Sequence, residues 1–318
     1  MTGCQRPDDE NLVADGWTDM PGYAALIGST AFPRPEPTPE KIGEHVMRMY
    51  KVDAPRSERL RARVEEIVKD KATAEKLKAW YPTWCKRATF SDWYLQAFNQ
   101  PNVHLVDTDG KGIDSATKDG LVVAGKEYPI DVLVLSTGYR SPGYGNGSPV
   151  ARSGVEIHGR QGKSLEDKWQ NHGASTLHGV CSNGFPNLFF MGNSQQANTG
   201  AFTMVLEVAI EHVAHIVSEA EKRTGGKRAV VEVTSEAEEA WAMEILKGAG
   251  WFATVAGCTS GYITNEGEAN KGSTDPMEMM KKARSSPWSA GFNDYIRVLE
   301  KYQADGKIEG FQVEPASA

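Results

Sequence analysis

Residues 128–139 read Tyr-Pro-Ile-Asp-Val-Leu-Val-Leu-Ser-Thr-Gly-Tyr, and this stretch decides the fold class. From Ile130 to Leu135 the run is apolar at nearly every position, without the polar alternation of a half-exposed strand. Such a run suits a strand covered on both faces, as in a parallel sheet. Thr137-Gly138 follows at once, and a glycine there permits close backbone approach because no Cβ obstructs it. Upstream, PNVHLVD (101–107) and GLVVAG (120–125) are two more short β-rich runs between Gly and Asp turns.

A second apolar run, FPNLFFMG (185–192), leads through glycine and polar residues into TMVLEVAIEHVAHIVSEAEK (203–222). The latter predicts a helix apolar over much of its circumference. Strand, glycine-containing turn and buried helix in succession form the arrangement that receives phosphates or cofactor rings at a helix N-terminus. Elsewhere the pattern is helical. Leu60, Val64, Ile67 and Val68 predict a helix over 57–79, and the four prolines of residues 30–41 forbid one there. Ser235 to Glu238 reads as a capping box, FNDYIRVLEKYQADG (292–306) as a helix closed by Gly306, and the stretch between them as a long Gly/Asn/Thr loop. The fold class expected is α/β.

Composition narrows the function. Of 318 residues, 40% are apolar and 24% charged, so the chain has the makings of a packed core. A net charge of −7, without a long basic run, lacks the footprint of a nucleic-acid binder. No apolar run reaches the roughly 18 residues of a membrane span, and MTGCQRPDDENL is no secretory leader. The expected location is therefore cytoplasmic. Cys4, Cys85, Cys181 and Cys258 are far apart with no CxxC pair, so neither a zinc ribbon nor a disulfide scaffold is expected. The Asn146 sequon has meaning only in a secreted chain.

Several motifs fail on spacing. Gly162-Lys163-Ser164 lacks the upstream glycine and strand of a P-loop, and GYGNGS (143–148) has the wrong spacing for a dinucleotide loop. GxGxxG and GxSxG occur nowhere. His212 and His215 lie beside Glu207 and Glu211 without HExxH or paired ExxH, so they read as core histidines and no metal is expected. Lys86-Arg87 fits either a solvated turn or a fixed cation pair for phosphate or a developing oxyanion, and spacing alone leaves both open.

Four segments in order carry a family resemblance: CKRATFSDWYLQAFNQPNVHLVDT, DVLVLSTGY, KWQNHGASTLHGVCSNGFPNLFFMGNSQ and CTSGYITNEGE. Together they resemble the C-terminal half of the Baeyer–Villiger monooxygenases, particularly fungal members, with Ser136 where the family usually has Ala. The family's two glycine fingerprints and the F-x-G-x-x-x-H-x-x-x-W string between them are absent. The resemblance implies a partial doubly wound, Rossmann-like FAD/NAD(P)-binding fold with helical N- and C-terminal segments. It divides the chain into a remnant of the NADPH-domain insertion (1–95), the C-terminal half of the FAD domain (96–225) and a cap with the active-site loop (226–318).

By the same resemblance Arg87 is the catalytic residue, stabilising the flavin peroxide anion that attacks the ketone. Lys86 contacts the 2′-phosphate of NADPH. Thr137, Gly138, Gly192, Asn193, Gln195 and Met204 line the cofactor, and Tyr262 and Asn265 lie toward substrate. The cofactors implied are FAD and NADPH, the co-substrate O2, and the substrate a ketone of secondary metabolism. The alternative is a truncated, non-catalytic or cofactor-free protein, or a subunit complementing a separate N-terminal half. In either case the runs at 130–135 and 186–191 would lack neighbours in a sheet, predicting an exposed apolar patch and either self-association or a partner.

Overall fold

The computed structural model describes residues 12–138, 148–192, 194–264, 266–267 and 272–316. Tyr139, the glycine run to Gly147 with its sequon asparagine, Cys4, Asn193 and Asn265 lie outside them. In order, the helices are α1 (Ala24–Ile27), α2 (Pro39–Ile67), α3 (Lys71–Leu77), α4 (Tyr94–Ala97), α5 (Pro149–Ser153), α6 (Leu165–His172), α7 (Phe202–Arg223), α8 (Ser235–Gly248), α9 (Pro276–Arg284) and α10 (Phe292–Gln303). The strands are β1 (Ser115–Ala116), β2 (Gly120–Val123), β3 (Lys126–Pro129), β4 (Ala229–Val233) and β5 (Phe311–Pro315). The chain divides into two compact units: Met1–Asp53 with Tyr81–Arg87 and Ser141–Ala318, and Ala54–Trp80 with Ala88–Arg140.

The core of the first unit is built on α7. Val205, Ala209, His212, Ile216 and Ala220 recur at three- and four-residue spacing and form its buried stripe. Against the stripe pack Val231 and Val233 of β4, Trp241 and Ile245 of α8, and Phe292, Tyr295 and Leu299 of α10. Trp241 and Trp288 stack face to face at 4.9 Å. The helix is one-sided, with Ile210 and Phe202 exposed, rather than buried over most of its circumference. β4 pairs antiparallel with β5. A smaller cluster joins Leu165 and Trp169 of α6 to Phe185 and Phe190. Ser164, once the end of a false P-loop, caps α6 by accepting from the Asp167 amide.

Near the N-terminus a third knot forms. The Trp251 indole donates to the Ala24 carbonyl at 2.8 Å, the Thr254 hydroxyl to Ala25, and His45 Nε2 to the Trp251 carbonyl. The proline-rich stretch ends where Thr38 accepts from the Lys41 amide and Pro39 takes the first helical position, which needs no amide proton.

In the second unit the helix expected over 57–79 is broken in two. Asp70 leaves the helical conformation and caps α3 through the Thr73 amide. Asn99 seals the break, donating to the Ile67 carbonyl and accepting from the Lys69 amide. Val64, Val68 and Ala74 form the small core, with Leu77, Leu95 and Phe98 packed on it. β1, β2 and β3 make an antiparallel meander. β2 turns into β3 through Ala124 and Gly125, both at positive φ, as a two-residue hairpin of primed type requires.

The expected parallel sheet is not formed among the described residues. The segment after β3 forms no strand, and Val132, Val134 and Leu135 are 78%, 77% and 75% exposed. An apolar sequence does not make a strand unless a neighbour takes its row of N–H and C=O groups. PNVHLVD is likewise without strand. FPNLFFMG is also not a strand: Asn187, at φ 57°, donates its amide to the Val231 carbonyl, while its side-chain oxygen accepts from Val231. The anticipated capping box also shifts, because Thr234 is the cap of α8 and accepts from Ala237.

Candidate active site

The Lys86-Arg87 pair follows a firmly held turn in the first unit. Asp53, buried, accepts from both the amide and the hydroxyl of Thr83. Gly22 is required beside it, since a Cβ there would lie 2.3 Å from Asp53 Oδ1. Trp84 is fully buried, with Tyr50 edge-on at 5.2 Å. Cys85 then forms a disulfide with Cys258, Cα to Cα 5.2 Å. The sequence reading expected no such bond. The two cysteines are 173 residues apart, and no spacing rule reaches that far.

From this anchored turn the two cations point to different partners. Lys86 Nζ donates to the Ser260 carbonyl at 2.5 Å and stands 5.7 Å from the centre of the Tyr81 ring. Arg87 is exposed; its Nη2 donates to the Gly200 carbonyl at 3.3 Å, and its guanidinium lies 5.8 Å from the Trp17 ring centre. Gly200 is two residues before α7, whose N-terminus has no side-chain cap and no acidic residue in its first turn. Arg87 and the positive end of a 22-residue helix therefore share one locality.

The loop opened by Cys258 is ordered around Thr264. Its hydroxyl accepts from the Gly261 and Gly267 amides. Tyr262, in the short turn Tyr262–Thr264, is 40% exposed. Lys86, Arg87 and Tyr262 thus belong to segments joined through one disulfide.

The other anticipated residues are distributed differently. Thr137 and Gly138 lie in the second unit, exposed; Gly138 has φ 78°, the conformation that favours glycine, with open space where a Cβ would be. Gly192 is partly exposed, and Met204 packs onto the main core. Gln195 is fully buried. Its side-chain amide donates to the Ala174 and Arg284 carbonyls, and its oxygen accepts from Thr176. Its polar atoms are used to hold the loop, not turned toward a ligand.

Two buried polar groupings were not legible in sequence as such. Lys168 donates to both oxygens of Glu238, to Ser182 and to the Asn183 carbonyl. Burial lowers the Lys168 pKa, opposed by the Glu238 charge. His178 Nδ1 and His212 Nε2 are 3.0 Å apart, and Gln303 meets the other nitrogen of His212. Burial drives His178 well below the ordinary histidine range and His212 down to about 4, each helped by a neighbouring histidine. No group of three or more His, Cys, Asp or Glu among the described residues converges as a metal site. Nor is any described helix long and apolar enough to cross a membrane.

No protein-family model matches the chain. Similar proteins do. The polycyclic ketone monooxygenase of Thermothelomyces thermophilus is 62% identical over 315 residues, 98% of this chain and 48% of the relative. Its solved structure superposes with a TM-score of 0.91 over 97% of this chain and 47% of that one. FAD-binding monooxygenase prhK of Penicillium brasilianum is 41% identical over 306 residues, 96% of this chain and 46% of the relative. A cyclohexanone monooxygenase from Rhodococcus sp. Phi1, solved bound to NADP+, is 27% identical with a TM-score of 0.62 over 84% of this chain and 46% of that one. The fold is thus a partial α/β fold of the FAD/NADP-binding Baeyer–Villiger class. The chain belongs to the Baeyer–Villiger-type flavin monooxygenases and corresponds to their C-terminal half, spanning about half the length of the curated relatives it matches.

Proposed function

We propose that this chain supplies the oxygenation side of an FAD- and NADPH-dependent Baeyer–Villiger monooxygenase, which converts a bulky ketone of fungal secondary metabolism into an ester or lactone. The observation that carries the reading is Arg87 beside the uncapped start of α7, in a chain 62% identical to a polycyclic ketone monooxygenase. The segments 1–95, 96–225 and 226–318 then correspond to the NADPH-domain insertion, the second half of the FAD domain and the cap.

The residues fit one end of the cofactor. An exposed guanidinium and a helix start without a side-chain cap suit the ring end, where charge develops. The diphosphate end has no GxGxxG loop in this sequence. When bound, FAD reduced by NADPH supplies the activated oxygen atom taken from O2. Arg87 holds the negative charge that develops on oxygen as the substrate carbonyl is attacked. Its Nη2 donates to the Gly200 carbonyl, two residues before α7. The resemblance would give Lys86, which pins the turn at Ser260, a contact to the NADPH phosphate, and Tyr262 and Asn265 contacts to the substrate. The resemblance alone makes Thr137, Gly138, Gly192, Asn193 and Met204 cofactor contacts, while Gln195 holds its own loop from within. Cytoplasmic residence belongs to the same reading.

Titrating FAD into the purified chain, alone and with a polypeptide bearing the glycine fingerprints, tests this. Flavin absorbance and a raised melting temperature are expected at least with that partner. Absence of both in both settings removes the monooxygenase reading. The exposed run Val132 to Leu135 favours a second reading, in which the chain acts only when another polypeptide covers that run.

A further inference from the structure

The Cys85–Cys258 disulfide joins the two halves of the candidate site at the point where each begins. Cys85 immediately precedes Lys86, and Cys258 opens the loop that carries Ser260, Gly261 and Tyr262. Both cysteines are buried, at 2% and 4% exposure. The Cys85 side is anchored by Trp84 and by the Asp53 carboxylate on Thr83. Beyond the bond, the Lys86 ammonium crosses the same junction to the Ser260 carbonyl at 2.5 Å. It sits so close to Gly261 that a Cβ there would lie 2.7 Å from Nζ. The turn around Thr264 is closed on itself by its own hydrogen bonds, so it moves as a piece. Among the described residues, the disulfide and this charged hydrogen bond tie it to the Lys86 segment.

We propose that the Cys85–Cys258 bond is the positioning element of this site. It sets the Lys86–Ser260 contact, and with it where the 259–264 turn and Tyr262 stand relative to Arg87. Two-electron reduction of the bond releases the turn. The reductant is a dithiol. Its thiolate attacks one cystine sulfur, the other leaves as a thiolate and takes up a proton, and the second dithiol sulfur resolves the mixed disulfide. The protein gains two thiols, and the dithiol becomes a cyclic disulfide. Burial of both sulfurs makes the exchange wait for the turn to lift. A cytoplasmic dithiol pool would then act on this bond directly. The proposal rests on the oxygenase reading only for what the turn covers.

The test uses the full chain and requires neither flavin nor turnover, so its failure is separate from failure of the oxygenase reading. Non-reducing peptide mapping of the chain kept under oxidising conditions is expected to find Cys85 linked to Cys258. Amide hydrogen exchange is then compared for the oxidised chain, the dithiothreitol-reduced chain and the Cys85→Ser/Cys258→Ser variant. Exchange within residues 258–264 is expected to rise on the order of tenfold on reduction, with α7, α8 and α10 changed by less than about twofold. Lys86→Met, which keeps the bond, is expected to raise it less. Free thiols at both cysteines in the oxidised sample would overturn the proposal. So would unchanged exchange in 258–264, or a uniform rise over the whole chain, which marks a global staple rather than a local one. If the double variant fails to fold, the reduced wild type decides.

Discussion

At the residue scale the sharpest expectation concerns Arg87. Its side chain is exposed and reaches a single backbone carbonyl, so it contributes little to packing. Arg87→Ala is expected to move stability by within about 0.5 kcal/mol while abolishing ester formation by the complete system, with NADPH oxidation to hydrogen peroxide persisting. Arg87→Lys should also fail, because a point charge on a flexible stem does not reproduce a planar fork. Product analysis beside thermal melts checks both; wild-type turnover in Arg87→Ala would remove the catalytic role. Glu238 behaves oppositely. It is buried and takes Lys168, Ser182 and the Asn183 amide. Glu238→Ala leaves a buried ammonium unpaired and is expected to cost about 3 kcal/mol in urea unfolding. The double replacement Lys168→Met/Glu238→Leu should recover most of that loss, since it removes both charges.

At the scale of elements, the packing of α7 against α10 contains a pH limit. His178 and His212 meet in a T-shaped pair, His178 makes further T-shaped contacts with Trp241 and Tyr302, and the Tyr295 hydroxyl donates to the His178 carbonyl. Both are held neutral by burial, His212 with a pKa of about 4 against 6.5 when unfolded. Between those values the unfolded chain binds more protons, so stability rises with pH there. It is complete above about pH 6.5 and falls by up to about 3 kcal/mol as pH drops to 4. Melting temperatures across that range should show the slope, and His212→Gln should flatten it. A wild-type melt independent of pH there would show that the pair titrates normally. The element itself was legible: apolar residues at three- and four-residue spacing announce α7 within one residue of its ends. Its histidine partner was not, since His178 comes from a turn 34 residues away and no period connects them.

For the whole molecule, two features bear on stability and association. The disulfide closes a loop of 173 residues. The chain-entropy account assigns a loop of that size about 5 kcal/mol, expressed through global unfolding. A bond that only positions the 259–264 turn predicts instead that reduced and oxidised chains melt close together, and melts well apart would mark a global staple. The exposed run from Val132 to Leu135 calls for cover. Self-association, or capture of a partner, is expected in sedimentation at high concentration, and Val134→Glu should weaken it. A sharp monomer of wild type at every concentration would contradict this.

Local periodicity reached what local physics decides. α7, α10, the strand at 120–123 and the proline-rich break before α2 were readable, because each depends on residues within a few turns of one another. Ordered motifs in the same stretch of sequence also carried the family, and with it Lys86 and Arg87 as a pair. Tertiary structure alone decided the rest. Whether residues 130–135 form a strand depends on a neighbour for their backbone, which the apolar sequence cannot specify. Whether Gln195 faces a ligand or a wall depends on Ala174, Thr176 and Arg284 meeting it from other segments. Cys85 finds Cys258 only because Trp84, Asp53 and Trp251 hold both ends of the chain in one core. Contacts between residues far apart in sequence are set by packing, and packing leaves no period in the sequence to read.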